Sequence, residues 1–538
     1  MRLLLALVLV TSQIIAQAPL RVEITPKSSS DQYYVVPIGK EGLILFNETD
    51  EKAPKGKKLF SFTKYDTEFK EVWTKTFPIT RGLNFEKFDF EGNNLYVLLK
   101  ERGKTADFEI VMVDVKGGAI TSAGGKIPGN AAINDFKVIN GYAYLGGRTM
   151  PTTGQILGRT CFIYGLFCIP VFFGAAEIKY QPVLVMTDVS SQKSLPIVLK
   201  YKGSAAVMDL SSDEKTRNAQ AVISSRPDKK TTRMEIKEFA GNDISGNLPV
   251  YPKNKNELLT GRFMNLSGAS DKLLIGTYSV PVENKSFGEK VSRALGKTAY
   301  IPNANGMYIA KFSGDEQEYI QYYPFSKFES FWKKIKSTQT SGSNKNNKKK
   351  KDVKESKVNY QLLVHNVIEK NNEYVMVAEA YYPEYHTEYY TTTDANGRVV
   401  TQSRTVFDGY RYTHAIVAGF NKDGEKIWDN SFEIWDILTY NLKERVRVLF
   451  EGDNIVLAYS NGGAIMSKVI SGNQIVDRKQ VTKIETAYSD DKVRSNWGSD
   501  MEFWYDNFFL TWGYQRIKSS EANKKKRNVF YFNKIAFQ

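Results

Sequence analysis

The sequence predicts an all-β fold built from a repeated four-stranded antiparallel sheet. Short aromatic and β-branched runs alternate with Gly, Asn and Asp turns along nearly the whole chain. The composition is that of a packed globular protein, because 42% of the 538 residues are hydrophobic and 13% are aromatic. Only two cysteines are present, which excludes a scaffold held together by disulfides.

The first kind of repeat unit is a hairpin around a turn of Gly, Asn or Asp. In the segment 88–98, Gly92 and Asn93 separate two runs of aromatic and aliphatic residues, which is typical of two paired strands. The clear copies of this unit are 88–98, 136–145, 268–278, 367–377, 448–459 and 503–512.

The second kind of unit is a hairpin whose first strand ends in an acidic or Gly turn. Clear copies are 62–73 and 417–428, and weaker copies are 111–120, 184–195, 234–248, 307–319 and 466–476. One hairpin of each kind makes a four-stranded sheet, and the pair recurs about eight times between Asp31 and Gln538. We therefore predict a single β-propeller of about eight four-stranded blades, with seven blades or two tandem β-sandwiches as the alternatives.

The last copy of the repeat contains only three strands, near 501–505, 508–514 and 528–537. The segment 20–25 has strand-like sequence and lies near the start of the chain. We predict that it supplies the fourth strand, because joining the two ends of the chain in one sheet removes an exposed edge.

The hairpin repeats resemble those of β-propellers in general, although the WD dipeptide and the kelch Gly-Gly signature are missing. The chain is also similar to exported propeller-like proteins of Bacteroidota-type bacteria in its use of Tyr, Asn and Lys and in its Ala16-Gln17 junction. The resemblance implies a fold, and it implies no activity.

The first 16 residues have the pattern of a secretory signal peptide. Arg2 precedes an unbroken apolar run from Leu3 to Val10, and Ala16 offers a small residue for cleavage. We expect residues 1–16 to be removed and 17–538 to form the propeller in the periplasm or at the outer membrane, with an extracellular location as the alternative. Export argues against a nucleic-acid partner.

Long insertions are predicted to emerge from one face of the propeller. The segments 147–178, 281–305, 381–413 and 515–527 each separate the second and third strands of a blade, and a Lys-rich linker, 337–357, joins two blades. Connections between the second and third strands of a blade and connections between successive blades lie at the same end of a propeller. Since loops on a rigid scaffold commonly carry binding residues, this face is the candidate binding surface.

The insertion 147–178 contains the most apolar stretch of the mature chain. It is too short to span a bilayer, so we consider a hairpin folded over its own propeller, a partner contact or a membrane contact. A disulfide between Cys161 and Cys168 is expected if the segment is a hairpin. The candidate contact residues are Phe162, Ile163, Tyr164, Leu166, Phe167, Ile169, Val171, Phe172 and Phe173.

The insertion 381–413 is rich in tyrosine and is predicted to be a projecting hairpin. Tyrosine offers a large rigid surface with a polar tip, which suits protein recognition and stacking on sugar rings. Cross-strand pairing within a long hairpin is the alternative role. The candidate surface consists of Tyr381, Tyr382, Tyr385, Tyr389, Tyr390, Tyr410 and Tyr412.

The formal net charge of +15 is concentrated in two segments. Segment 333–357 carries +8 and segment 516–527 carries +5, so almost no net charge remains for the rest of the mature chain. We predict basic loops that dock electrostatically or only promote solubility. Their principal residues are Lys348, Lys349, Lys350, Lys351, Lys524, Lys525, Lys526 and Arg527.

The sequence contains no recognisable catalytic motif. His386 has Glu384 and Glu388 beside it, and His414 closes the same insertion, but this pattern is a weak metal signal. Carboxylates such as Asp89 and Glu91 are interpreted as turn caps. We therefore expect no catalytic residue, metal or cofactor, although a carbohydrate-cleaving pair of distant carboxylates would leave no sequence pattern.

Taken together, these patterns favour an exported, non-enzymatic binding or scaffold protein. We expect it to be an accessory subunit of a cell-envelope or outer-membrane complex that docks through the decorated propeller face. The alternatives are a carbohydrate-binding or carbohydrate-active propeller, and a protein that binds anionic lipid or lipopolysaccharide.

Overall fold

Alternating apolar residues fold into antiparallel sheets that follow one another along the chain. A computed structural model describes residues 20–28, 31–101, 107–127, 131–149, 161–164, 167–170, 179–213, 215–228, 230–266, 271–280, 303–333, 360–393, 397–440, 442–518 and 526–537. The first strand, β1 (Leu20–Ile24), belongs to the last sheet and is described with it.

The first three sheets use consecutive strands, with one small additional hairpin. Sheet 1 contains β2 (Tyr33–Pro37), β3 (Leu43–Glu48), β4 (Lys57–Tyr65) and β5 (Glu71–Thr80). Sheet 2 contains β6 (Leu83–Glu91), β7 (Asn94–Glu101), β8 (Asp107–Asp114) and β9 (Ile120–Lys126). Sheet 3 contains β10 (Ala131–Ile139), β11 (Tyr142–Thr149), β14 (Pro182–Asp188) and β15 (Lys193–Pro196), and the separate hairpin consists of β12 (Cys161–Tyr164) and β13 (Phe167–Pro170).

The next three sheets include the longest strands of the described chain. Sheet 4 contains β16 (Ser204–Ser212), β17 (Ala219–Arg226), β18 (Arg233–Ala240) and β19 (Asp243–Val250). Sheet 5 contains β20 (Leu258–Asn265), β21 (Asp271–Ser279), β22 (Gly306–Ser313) and β23 (Glu316–Pro324). Sheet 6 contains β24 (Gln361–Val364), β25 (Ile368–Lys370), β26 (Glu373–Thr393), β27 (Val399–Phe420), β28 (Lys426–Glu433) and β29 (Leu438–Thr439).

The last two sheets complete the chain. Sheet 7 contains β30 (Arg447–Glu451), β31 (Asn454–Asn461), β32 (Ala464–Ser471) and β33 (Gln474–Lys483). Sheet 8 contains β34 (Lys492–Tyr505), β35 (Phe508–Lys518) and β36 (Arg527–Ala536), with β1 as its outermost strand. Two short 3₁₀ turns, Gly39–Glu41 and Phe325–Lys327, interrupt the strands. None of the helical segments among the described residues has the length and apolar character needed to cross a membrane.

The all-β propeller prediction is confirmed, but the predicted count of eight four-stranded blades is not supported. Within the described ranges, seven sheets have four strands each. Sheet 6 differs because β25 and β29 add to its path of four strands, giving six. The difference arises because the two edges of the sheet are interrupted: β24 and β25 pair with successive parts of β26, and β29 pairs with β27 next to the stretch that pairs with β28.

Packing between neighbouring sheets closes the propeller. The first strands β6, β10, β16 and β20 lie side by side, so the sheets stand around a common axis. Each buried hydrophobic cluster lies between two successive sheets, for example Leu98 and Val185 between sheets 2 and 3. The cluster that contains Val35 and Phe532 joins sheet 1 to sheet 8, which completes the ring.

Strand β1 pairs with β36, so segments near both ends of the sequence share sheet 8, as predicted. The side chain of Arg21 is almost fully buried and fixes this pairing. Its guanidinium donates to Gln515 Oε1 at 2.7 Å and to Asn533 Oδ1 at 3.2 Å, and it lies 4.3 Å from the centre of the Tyr531 ring. Arg21 therefore links β1 to its neighbour β36 and to β35, the next strand of the sheet.

Carboxylates on the first strands connect one sheet to the next. Asp89 accepts a hydrogen bond from the backbone N–H of Val138 at 2.8 Å, and Asp135 accepts one from Leu210 at 2.9 Å. Asp209 accepts one from Phe263 at 2.9 Å. The interpretation of Asp89 as a turn cap is therefore wrong, because its carboxylate satisfies a backbone donor of the following sheet.

We expect Arg21→Ala to lower the free energy of unfolding by about 2–4 kcal/mol, because Gln515 and Asn533 lose a charged partner and the Tyr531 ring loses its cation. Chemical denaturation monitored by tryptophan fluorescence measures the effect. Arg516→Ala is the matched control, because Arg516 lies exposed on β35 of the same sheet. Equal losses in the two variants would contradict the role given to Arg21.

Candidate functional site

The strand order places the long insertions at one end of the propeller. The four predicted insertions leave their sheets between β11 and β14, β21 and β22, β26 and β27, and β35 and β36, which are second-to-third strand connections. The connection 325–360, which contains the Lys-rich linker, leads from the fourth strand of sheet 5 to the first strand of sheet 6. In an antiparallel meander both kinds of connection lie at the end where the first strand begins. We call this end the insertion face.

The hairpin of β26 and β27 projects from the insertion face. The two strands pair continuously apart from two bulges, as far as Thr393 opposite Val399. Their neighbours stop much earlier, since β24 pairs only as far as Tyr381 and β29 pairs with Tyr410 and Arg411. About ten residues of each strand therefore extend beyond the sheet, which is about 30 Å of hairpin.

Three of the predicted tyrosines lie on this projecting part of the hairpin and are exposed. Tyr389 is 75% exposed, and Tyr385 and Tyr390 are also exposed. The Tyr390 hydroxyl donates to Gln402 across the hairpin at 2.9 Å. The projecting hairpin therefore presents aromatic surface to solvent, and Val399 extends this surface at the tip.

The other predicted tyrosines do not form a surface. Tyr381 and Tyr412 are buried in the cluster between sheets 6 and 7, and Tyr410 packs against the same cluster. Tyr382 is partly buried, and its ring lies near that of Tyr360. These positions lie at the base of the hairpin, where hydrophobic clusters pack against both faces of sheet 6.

Charged pairs brace the hairpin from side to side. Arg411 bonds to Glu384, and Arg404 donates to Glu388 at 2.7 Å. His386 contacts Asp408, and hydrogen bonding to Asp408 raises the pKa of His386. Glu384, His386 and Glu388 are thus engaged in ion pairs within the hairpin, whereas His414 is buried at its base. Across the described part of the chain, no group of three or more His, Cys, Asp or Glu side chains is arranged to hold a metal ion.

A network of buried charges lies on the first strands near the axis. Arg262 on β20 donates to Asp209 Oδ1 at 2.6 Å, and it lies 3.6 Å from both Asp135 and Glu444. Burial alone would lower the pKa of Arg262, but these three carboxylates hold it raised. Burial raises the pKa of Asp209 to about 6, because the attraction of Arg262 is offset by repulsion from Asp135.

A second group of charges fixes the segment that enters sheet 7. Glu379 is fully buried and accepts hydrogen bonds from the backbone N–H groups of Arg445 and Val446 at 2.7 and 2.8 Å. His365 Nε2 lies 2.7 Å from the same oxygen. The Tyr412 hydroxyl donates to the carbonyl of Lys443 at 2.6 Å, so Tyr412 positions this segment from the core.

The segment held by Glu379 and Tyr412 forms one side of a cleft of about 300 Å³ on the insertion face. Lys443 contacts Asp500, and Arg445 lies 3.7 Å from the same carboxylate. Burial acts to raise the pKa of Asp500, but the attraction of Lys443, Arg445 and Arg447 leaves it lowered. The lining residues are Asp436, Ile437, Leu438, Thr439, Lys443, Arg445, Ser460, Asn461, Gly462, Asn496, Trp497, Gly498, Ser499 and Asp500.

Two tight turns shape the other sides of the cleft. Gly463 has a φ of +78°, and a Cβ at this position would lie 2.4 Å from Asn496 Oδ1. Gly498 has a φ of +63° and lies against the Tyr514 ring. Trp497, between these turns, stacks on Tyr514 with ring centres 5.6 Å apart and keeps 45% of its surface exposed.

The apolar hairpin of the first insertion is described through its backbone. Phe162 pairs with Ile169, Cys161 with Pro170, and Cys168 with Ile163. The cysteines are therefore diagonal neighbours and not directly opposite, and their disulfide stays a prediction. Tyr164 pairs with Phe167, whereas Leu166, Val171, Phe172 and Phe173 lie outside the described residues.

The predicted basic loops lie largely outside the described residues. These include Lys348 to Lys351 together with Lys524 and Lys525, as well as the predicted signal peptide. Lys526 is described, and Arg527 begins β36. The guanidinium of Arg527 pairs with Asp491 and with Glu23, the latter at 3.1 Å, so its charge is engaged within sheet 8.

The sequence reasoning missed the cleft and the axial charges. One signal was present, because Asp135 and Asp209 each stand within an apolar strand segment, Asn134-Asp135-Phe136 and Met208-Asp209-Leu210. A charged residue on a buried strand indicates a partner charge or a backbone donor. The partners themselves come from other sheets, so no local pattern identifies them.

Comparison with known proteins gives only distant likenesses. No protein-family model matches the chain, and no curated protein matches its sequence. Similar solved structures include the polysaccharide lyase Uly1, with a TM-score of 0.36, 8% identity, and coverage of 84% of this chain and 89% of that one. The quinohemoprotein alcohol dehydrogenase ADHIIG of Pseudomonas putida HK5 gives a TM-score of 0.40 at 8% identity over 93% and 73% of the two chains.

A post-proline cleaving enzyme from Rickettsia typhi gives a TM-score of 0.35 at 8% identity, and the match covers 91% of this chain and 58% of that one. Scores and identities this low carry no argument about activity.

We expect Arg262→Met to lower the free energy of unfolding by about 3–5 kcal/mol at pH 8, because Asp135 and Asp209 lose their buried counter-ion. The loss should be smaller at pH 5. Since the folded-state pKa of Asp209 lies above its unfolded value, protonation favours the native state, and this contribution fades as pH rises through about 6.

Denaturant unfolding at both pH values measures the effect of Arg262→Met. The control is Arg404→Met, which removes an exposed arginine from the hairpin and should cost little at either pH. If the loss of unfolding free energy does not depend on pH, Arg262 does not stabilise the protein by neutralising the buried carboxylates.

Proposed function

We propose that this protein is an exported, non-enzymatic binding or scaffold protein that docks to a partner protein of the cell envelope through its insertion face. The observation that carries the proposal is the projecting hairpin of β26 and β27, which holds exposed tyrosines beyond the body of the propeller. Such a hairpin is an aromatic arm on a rigid base, which is the arrangement expected of a docking element.

The rigidity of the arm supports a binding role. Phe407 contacts the rings of Tyr385, Tyr410 and Tyr440, with ring centres 5.1 to 6.1 Å apart. Arg411 also bonds to Asp436 beyond β28, which ties the base of the arm to the edge of the cleft. Because the arm is ordered before a partner arrives, docking would cost little conformational entropy.

Isolated exposed aromatic residues are common on protein surfaces, but a cluster on a protruding element favours an interface. Tyr389 and Val399 share one face of the arm near its tip, and Tyr390 lies next to Tyr389 on the opposite face. Tyrosine is enriched among the residues that contribute most to the binding energy of interfaces, since its ring is large and loses little conformational freedom on binding. The partner contact is therefore assigned to the tip of the arm.

Export is the second part of the proposal, and it rests on the pattern of residues 1–16. The proposed setting is a larger complex in the periplasm or at the outer membrane, in which this chain is an accessory subunit.

We expect the mature protein, used as bait in an envelope extract, to retain a stoichiometric partner that the double variant Tyr389→Ser, Tyr390→Ser releases. The matched control is Ile475→Ser, Val476→Ser, which removes equally exposed apolar residues near the third-to-fourth strand connection of sheet 7, at the opposite end. Quantitative mass spectrometry of the eluates reports the partner. Recovery of the same proteins by wild type and by both variants would contradict docking through the arm.

A further inference from the structure

The cleft beside the base of the arm has the character of a small-ligand site. Its volume of about 300 Å³ is at the lower end of the range for small-molecule pockets, so it admits one or two rings and not a folded segment. Its walls come from sheets 6, 7 and 8 and from the segment held by Glu379 and Tyr412. The cleft is therefore built on rigid parts of the propeller.

The charges that line the cleft are balanced. Lys443 and Arg445 stand against Asp436 and Asp500. Lys443 and Asp500 are in direct contact, and the side chain of Asp436 pairs with Arg411. A free anion would be repelled by the acidic side chains of this cleft, and a free cation would be repelled by the basic ones. The balance of charges therefore favours a neutral ligand.

The lining offers hydrogen-bond donors and acceptors in the same small space. Arg445 donates through Nη2 to Thr439 at 3.0 Å, and no described residue forms a hydrogen bond with Ser460 Oγ. Ser460 is only 6% exposed, so an unpaired hydroxyl there is costly. Ligand hydroxyl groups both donate and accept, and therefore suit arginine, serine and carboxylate groups together.

Trp497 provides a flat apolar surface at the same place. Its ring is held by stacking on Tyr514, yet much of the residue remains exposed and lines the cleft. An immobilised ring loses little entropy when a ligand covers it. Aromatic side chains bury large areas against planar or ring-shaped ligands.

We propose that this cleft binds a neutral, hydroxyl-rich sugar unit of a glycan, with Trp497 as the stacking surface and Arg445, Ser460 and Asp500 as hydrogen-bonding partners. Trp497 covers the apolar face of the sugar ring, while the hydroxyl groups at its edge bond to the polar side chains that line the cleft. This binding site goes beyond the proposed docking role and does not depend on it, because the tip of the arm takes no part in the cleft.

The test is direct binding of neutral oligosaccharides, namely fragments of glucan, galactan, mannan and xylan, to the mature protein by array screening and then by calorimetry. A parallel set of uronate oligosaccharides tests whether the cleft prefers an anion. We expect binding of at least one neutral set, weakened about tenfold or more by Trp497→Ala and several-fold by Ser460→Ala.

Trp435→Ala is the matched control, because Trp435 is exposed to nearly the same extent as Trp497 but does not line the cleft. Circular dichroism and thermal unfolding establish that each variant is folded. Absence of neutral binding, binding of uronates alone, or equal weakening by Trp497→Ala and Trp435→Ala would each overturn the assignment. The variant Tyr389→Ser, Tyr390→Ser should bind sugar normally, which separates this site from the docking arm.

Discussion

Hydrogen bonds between the first strands of neighbouring sheets are the constraint on which the other features depend. Asp89, Asp135 and Asp209 each accept from a backbone N–H of the following sheet, and Arg262 neutralises the last two. A buried carboxylate needs such partners, so the angle between adjacent sheets is specified by polar contacts as well as by apolar packing. Because these contacts lie near the axis, they fix sheets 2 to 5 relative to one another and hence the relative positions of the loops at their ends.

The insertion face is also held in place by buried polar contacts. Glu379 and Tyr412 hold the segment from Lys443 to Val446, and this segment forms a wall of the cleft. On the same sheet, β26 and β27 continue outward as the arm. Strands β26 and β27 thus contribute to both features. Their buried residues hold a wall of the cleft, and their outer parts form the arm. A binding protein with both could hold a glycan and a protein partner at one end.

Features that depend on residues close in sequence were predicted better than features that depend on contacts between distant parts of the chain. The hairpins, including the projecting Tyr-rich hairpin, were predictable because strand pairing across a short turn involves residues close in sequence. Strand β1 was predictable for another reason, since the last repeat had only three strands and needed a fourth. The burial of Tyr381 and Tyr412 was not predictable, since it depends on where sheet 6 ends along β26 and β27. The cleft was equally inaccessible, because Thr439, Ser460 and Trp497 come from three sheets and meet only when the ring closes.

Site-specific photo-crosslinking in intact cells tests most directly that the insertion face is the functional one. A photoreactive phenylalanine analogue replaces Tyr389 at the tip of the arm or Val476 at the opposite end, where both native residues are exposed. The account predicts a discrete crosslinked product of higher mass from position 389 and none from position 476. Products from position 476 without any from position 389 would show that the protein binds through its other face.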